Sequence, residues 1–299
     1  MRARQFHPIQ EPHGITIGNR NMGLHWGMPA LQDLISDSAK AQLTTVTVDP
    51  NVPTKSHDTV SFINGLNGEL MTAMEVTYFY RLRRSKLRTL LIQDLDIRWN
   101  KKLANIVYEH DGKTVTAIFE DGEHISGNLI IGADGARSTV RNILLGPKLA
   151  APTRLPYSAT FVQSKYTREQ ALFLRSFHPL YIASPHPKGC FAFFGLQDAP
   201  EIDKPEDWTF FFYVSWNSSL EQQDDERPRF GNKERLAQVK EKAQGYCEPW
   251  KSAFEVSVHS PCFADVRGSL SYAFIQATNN LVEFKYLELR FQHTMESPY

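Results

Sequence analysis

Cysteine is scarce in this 299-residue sequence: only Cys190, Cys247 and Cys262 occur, an odd set with no Cys-x-x-Cys spacing and no neighbouring histidine ladder. That excludes a disulfide framework, gives no zinc signature, and makes a reducing compartment, the cytoplasm, the expected location. An excess of charge is missing as well, since 33 Lys and Arg balance 33 Asp and Glu. No broad electrostatic footprint for nucleic acid or an anionic membrane is expected from a formally neutral chain. Long apolar runs are also absent. The longest, around Cys190–Leu196 and Phe210–Val214, have strand length and are too short to span a bilayer. The opening segment MRARQFHPIQEPHG has early arginines but no apolar run behind them, so no secretory signal is expected.

What the chain does contain is aromatic side chains, 12% of all residues, with many of them in the second half. Large flat rings suit a sheet core or the wall of a small-molecule cavity. The length allows two lobes. In the first half, Leu24, Met28, Leu31 and Leu34 or Ile35 recur at helical spacing, and Pro29 is tolerable only in a first turn, which predicts a helix from near Met28. Asp49–Ser56 reads as loop. The segment from Arg84 to Leu91 reads as a short amphipathic helix with Ser85 as its N-cap.

The clearest pattern runs from Asn105 to Asp134. Two alternating stretches are separated by Asp111-Gly112 and a third follows Asp121-Gly122, a spacing that predicts a three-stranded meander with type I′ turns. Next comes Asn128–Gly132, apolar on both faces like a buried strand, then Ala133-Asp134-Gly135 and an apolar-periodic helix through Val140 and Leu144. A buried strand passing through a glycine turn into a helix is α/β construction. In the segment GADGARSTVR, Gly132 and Gly135 permit close backbone approach, and the helix start offers N–H groups and a positive dipole end to an anion. Asp134 has two readings: a turn-ordering acceptor of backbone N–H groups, or the holder of a water that bridges to a pyrophosphate.

Beyond Pro147 the texture becomes mostly β, with strands expected at Ser158–Gln163, Leu180–Ala183, Cys190–Gln197 and Trp208–Trp216. A polar stretch from Glu221 to Asn232 reads as a solvated loop, and Lys233–Tyr246 reads as helix. His178 and His186 have no base or nucleophile partner at a telling spacing, so neither is assigned chemistry.

Three ordered segments resemble the group A FAD-dependent monooxygenases, the para-hydroxybenzoate hydroxylase-like family, and its fungal salicylate hydroxylase-like members in particular. Gly132, Ala133, Asp134, Gly135, Ser138, Val140 and Arg141 match that family's GADGxxSxVR motif. GLHWGMPAL, from Gly23 to Leu31, looks like its helix leader, and Arg84-Ser85-Lys86-Leu87 is similar to its R-S-x-L helix. The likeness covers roughly residues 14 to 260 and is strongest before residue 150. It implies FAD as cofactor, NAD(P)H as co-substrate and a small aromatic or polyketide-type substrate. It also implies Arg84, Gly132, Asp134, Gly135 and Arg137 as cofactor-binding positions. His25 and Trp26 are secondary candidates for stacking on the flavin, against core or rim packing. The expected fold is α/β: residues 1–150 an incomplete Rossmann-like FAD-binding lobe, 151–260 a β-rich substrate lobe, and 261–299 a divergent tail.

Two family features are absent from the sequence: the GxGxxG turn with its ribose-binding acidic residue, and any Gly-Asp dipeptide of the GDAAH segment. The resemblance therefore leaves two functions open. One is NAD(P)H-driven hydroxylation of a small molecule, with the flavin supplying the oxygen chemistry and no protein nucleophile needed. The other is an inactive fragment or remnant, truncated at both ends, that does not bind FAD. A related epoxidase or halogenase is a third reading, and the halogenase Trp-x-Trp-x-Ile-Pro motif does not occur.

Overall fold

The computed structural model describes residues 21–256 apart from 25, 26, 94, 111 and 179. In chain order, β1 (Asn21–Leu24), α1 (Met28–Leu34), α2 (Asp37–Ala41), β2 (His57–Ile63), β3 (Leu70–Thr77), β4 (Tyr80–Arg83) and α3 (Arg84–Leu91) precede the meander. The meander is β5 (Leu103–Tyr108), β6 (Val115–Phe119) and β7 (His124–Gly127), and α4 (Thr139–Ala150) follows it. Then come β8 (Tyr157–Ser164), α5 (Arg168–Phe177), β9 (Tyr181–His186), β10 (Cys190–Asp198), β11 (Thr209–Asn217), α6 (Leu220–Arg229), α7 (Asn232–Ala243) and α8 (Trp250–Val256). The fold is mixed α/β, as expected. One compact unit takes the described residues up to 95 and from 158 onward, and the other takes 96–157.

The larger unit is built on a six-stranded sheet of order β3-β2-β9-β10-β11-β8, in which β2 and β9 run parallel while β2/β3, β9/β10 and β10/β11 are antiparallel. The four expected strands are all present. β11 shows how the sheet is organised. Phe210, Phe212, Val214 and Trp216 point to one face and are buried, while Phe211, Tyr213 and Ser215 point to the other, the period of two that pleating imposes. The first face packs with Leu174 of α5, Val239 and Ala243 of α7, and Trp250 and Phe254 of α8 into the main core. A second core forms around β4, where Leu82 is joined by Met28 of α1 and by Leu87 and Leu90 of α3. The helix starting at Met28 thus forms as expected, with Pro29 in its first turn.

Two helices depart from the sequence expectations. Ser85 does not cap α3: Arg83 occupies the N-cap position without a side-chain cap bond, and Ser85 lies within the first turn. The stretch from Glu221, expected to be loop, is α6, capped by the Ser219 hydroxyl, which accepts from the Gln222 N–H at 3.1 Å. Its inward face is polar, so apolar periodicity could not reveal it. Gln223 and Glu226, three apart on one face, are both buried. Glu226 Oε2 accepts from Arg235 Nη1 of α7 at 2.6 Å, while its Oε1 accepts from Gln222 and Gln238 at 2.9 and 3.1 Å.

In the smaller unit, β5, β6 and β7 form the expected antiparallel meander. The second turn is not type I′. Asp121 keeps a negative φ and Gly122 alone is left-handed at 83°, with its N–H donating to the Phe119 carbonyl at 3.0 Å, as in a type I turn followed by a glycine bulge. Asn128–Gly132, expected as a buried strand, is not one. No described strand pairs with it, and Leu129 and Ile131 are 64% and 80% exposed. Apolar β-prone sequence becomes a strand only where a neighbour accepts its ladder. α4 then runs against β5 and bends at Gly146, where φ is 74°.

Candidate functional site

The GADG turn is organised by Asp134. One carboxylate oxygen accepts from the Ser138 hydroxyl, and the other accepts from the backbone N–H groups of Thr139 at 2.6 Å and Val140 at 3.2 Å. Ser138, the N-cap of α4, accepts from the Arg141 N–H at 2.9 Å. Arg141 in turn spans the helix, donating Nε to the Ala150 carbonyl at 3.1 Å and Nη2 to Ala136 at 2.5 Å. The Ser138 hydroxyl, followed by the N–H groups of Val140 and Thr139, holds the Asp134 carboxyl below the ordinary carboxylate range. Of the two sequence readings of Asp134, the geometry supports the acceptor that orders the turn.

This arrangement changes what the helix start offers. The N–H groups of Thr139, Val140 and Arg141, expected to be free for an anion, are already satisfied by Asp134 and Ser138. The turn carries its own internal anion at the dipole end. Its glycines have separate reasons. A Cβ on Gly132 would lie 2.7 Å from Val140 Cβ, so the backbone needs glycine to pass the helix. Gly135 meets nothing but has φ of 82°, a conformation that costs other residues energy. Arg137 is exposed and makes no side-chain hydrogen bond or ion pair among the described residues.

Arg84, in the larger unit, opens α3 and is exposed. Its neighbours are not: Arg83 forms an ion pair with Asp198 of β10, and Lys86 Nζ lies 3.1 Å from the same carboxylate. Burial, then the nearby Arg83 charge, pushes the Lys86 ammonium below its usual range. Asp198 thus docks α3 on the large sheet and leaves Arg84 and Arg88 as the helix's outward cations. His25 and Trp26 lie outside the described residues, as does the 261–299 tail. His178 Nδ1 accepts from the Leu180 and Tyr181 N–H groups at 3.1 and 3.0 Å, a turn-closing role, and burial lowers its proton affinity.

Sequence reasoning missed Arg81. Only 8% exposed, it sits at the edge of a cleft with Val48, Asp49, Asp58, Phe79 and Leu180. Its guanidinium lies 5.1 Å from the Phe193 ring centroid and donates Nη2 to Asn21 Oδ1 at 3.1 Å, while Nε is buried without a partner. Desolvation lowers its pKa to about 10. Neither nearby carboxylate forms an ion pair with Arg81 among the described residues. Asp49 pairs with Arg175 and accepts from the Asn51 N–H at 2.8 Å, and Asp58 accepts from the Thr59 N–H at 2.9 Å. The signal available in sequence was a basic residue inside a strand, opposite a buried Leu82.

Comparison with known proteins gives the site its context. The FAD-dependent monooxygenase phnB of Penicillium herquei is 33% identical over 267 residues, 87% of this chain and 62% of that protein. The FAD-dependent monooxygenase cctM of Talaromyces islandicus is 33% identical over 237 residues, 79% of this chain and 57% of that one. The chain is a relative of the FAD-dependent monooxygenases. It spans about three fifths of the length of these curated relatives (62% and 57%). The solved 2,6-dihydroxypyridine-3-hydroxylase of Arthrobacter nicotinovorans shares the fold of this monooxygenase relative, with a TM-score of 0.56 at 17% identity over 80% of this chain and 60% of that one. No family model matches. Among the described residues, no helix of the monooxygenase relative is long and apolar enough to cross a membrane.

Proposed function

We propose that the chain acts in FAD-dependent, NAD(P)H-driven hydroxylation of a small aromatic or polyketide-type molecule. The observation that carries this reading is the 33% identity to two fungal FAD-dependent monooxygenases across most of the chain, in which the GADG turn keeps an internally consistent geometry. The flavin supplies the oxygen-transfer chemistry when bound. The described residues fit it in a limited way: Arg84 in the larger unit and Arg137 in the smaller are each an exposed cation able to meet an anionic oxygen, whereas the α4 N–H groups are taken. In this reading Asp134, Gly132 and Gly135 shape the cofactor-side turn and touch the cofactor only through water or backbone. The same reading takes residues 1–150 as the cofactor-side part and 151–260 as the substrate-side part, although β2 and β3 lie in the sheet built mainly from the latter.

A second reading, a remnant that does not hold FAD, is favoured by the occupied helix start of α4. One experiment separates them. The purified chain is incubated with FAD, desalted, and its visible flavin spectrum and NAD(P)H-dependent oxygen uptake are recorded. Stoichiometric flavin with NAD(P)H oxidation supports the enzyme. A colourless protein with no oxygen uptake leaves the remnant.

A further inference from the structure

One imidazole organises the start of β9. His178 stands at the C-cap of α5 in fully extended backbone, with φ of −161° and ψ of 140°, and is half-buried. Its Nδ1 accepts from two backbone N–H groups, those of Leu180 at 3.1 Å and Tyr181 at 3.0 Å. A backbone N–H can only donate, so Nδ1 must be bare and the ring proton belongs on Nε2. The ring also lies 5.1 Å from that of Tyr181, tilted by 43°. Other contacts hold the same two residues from different sides. The Leu180 carbonyl accepts from the Leu196 N–H at 2.8 Å, and the Tyr181 hydroxyl donates to the Thr59 carbonyl of β2 at 3.3 Å.

A further proton on this ring has one place to go, Nδ1, and there it meets two donors. Imidazolium has no free lone pair, so protonation replaces both hydrogen bonds with N–H groups aimed at one another. The charged neighbours divide. Asp58 of β2 favours the imidazolium and Lys55, just ahead of β2, opposes it, while burial outweighs both and keeps the proton affinity low. Arg175, one turn earlier on α5, is paired with Asp49, and Arg81 acts on Tyr181. Histidine is also the side chain whose ordinary titration falls closest to neutral pH.

We propose that His178 is a pH-sensitive pin, which holds the first N–H groups of β9 while neutral and releases them when protonated. The release is local, because the Leu180 carbonyl and the Tyr181 hydroxyl keep their own partners. Leu180 lines the cleft that Asp58 and Phe79 also line, so acid loosens one wall of it. The device needs no flavin and stands apart from the FAD reading. Its sign follows from the depressed native pKa. The contribution is fully present above the unfolded value of about 6.5 and is lost as pH falls from there through the lower native value.

Amide exchange of the full 299-residue chain is followed from about pH 7.5 to about pH 5, each rate being divided by the intrinsic rate at that pH, and the His178 ring is titrated by NMR in the same samples. Opening that takes up one proton should lower the protection of the Leu180 and Tyr181 amides by up to about ten-fold per pH unit below about 6.5, with Phe212 and Val214 of β11 unchanged. His178→Asn supplies a non-titrating acceptor, Oδ1, in nearly the place of Nδ1, and should keep the protection at every pH. His178→Ala should lose it at every pH. A flat wild-type profile overturns the proposal whether or not either variant folds, as does an equal fall at the β11 amides or a fall that does not track the His178 titration. A folded His178→Asn with the wild-type slope overturns it too.

Discussion

Replacing Asp134 by alanine tests the internal-anion reading of the GADG turn most directly. The substitution removes the acceptor for the Thr139 and Val140 N–H groups and for the Ser138 hydroxyl, while Ser138 keeps its bond from Arg141. Loss of such a cap costs about 0.5–2 kcal/mol, and loss of a negative charge at a helix start adds about 0.3–1. Asp134 is exposed, so screening holds the sum to about 1–2 kcal/mol. In native-state hydrogen exchange that is about 5- to 30-fold faster exchange of the Thr139 and Val140 amides, with β10 and β11 amides unchanged. Inorganic phosphate should slow exchange at these amides in Asp134→Ala and leave the wild type unaffected, because only the variant has free N–H groups at the dipole end. The acid dependence has a definite sign. Hydrogen bonds lower the native Asp134 pKa, so its contribution is present above the unfolded value of about 3.9 and is lost as pH falls through the lower native value. The two proteins should therefore converge in strong acid. Equal phosphate protection in both proteins, or unchanged exchange in Asp134→Ala, refutes the reasoning.

Gly132→Ala should destabilise the smaller unit by about 1–3 kcal/mol through its clash with Val140, and Val140→Ala in the same chain, which removes the Cγ contacts but keeps the Cβ, should recover only part of the loss in urea unfolding. Glu226→Ala leaves Arg235 buried without its counter-charge and should cost about 3–5 kcal/mol. The double change Glu226→Leu with Arg235→Met should sit within about 2 kcal/mol of wild type, and additive single effects would contradict the ion-pair account. Burial disfavours the Glu226 carboxylate, but the Arg235, Gln222 and Gln238 contacts outweigh it and depress its pKa. Its contribution is thus present above the unfolded value of about 4.3 and lost as pH falls through the native value. Phe212→Ala, fully buried between the sheet and Phe254, should cost about 3–5 kcal/mol, and Phe211→Ala less.

Much of the fold was legible because its signals are local. Strand-prone composition located β8, β9, β10 and β11, the two Asp-Gly pairs located the meander, and apolar periodicity located α4. Failures fell where a local pattern had no local cause. Asn128–Gly132 reads as a strand by composition, yet a strand exists only as one side of a ladder, and no described strand provides the other. α6 reads as loop because its buried face is Gln223 and Glu226, whose burial is possible only with Arg235 of the next helix alongside.

The candidate site divides along the same line. The sequence alone determined the turn at Asp134, since every group that organises it lies within seven residues of it, save the Ala150 carbonyl that receives Arg141. It also set Arg84 at the head of a helix. Only the tertiary structure decided that Arg83 and Lys86 are drawn onto Asp198, leaving Arg84 outward. The environment of Arg81 is likewise tertiary. Its hydrogen-bond partner is Asn21 and its ring partner is Phe193, and the missing counter-charge follows from Asp49 being held by Arg175. Burial of a charge is a property of everything packed around it, and no spacing along the chain encodes that.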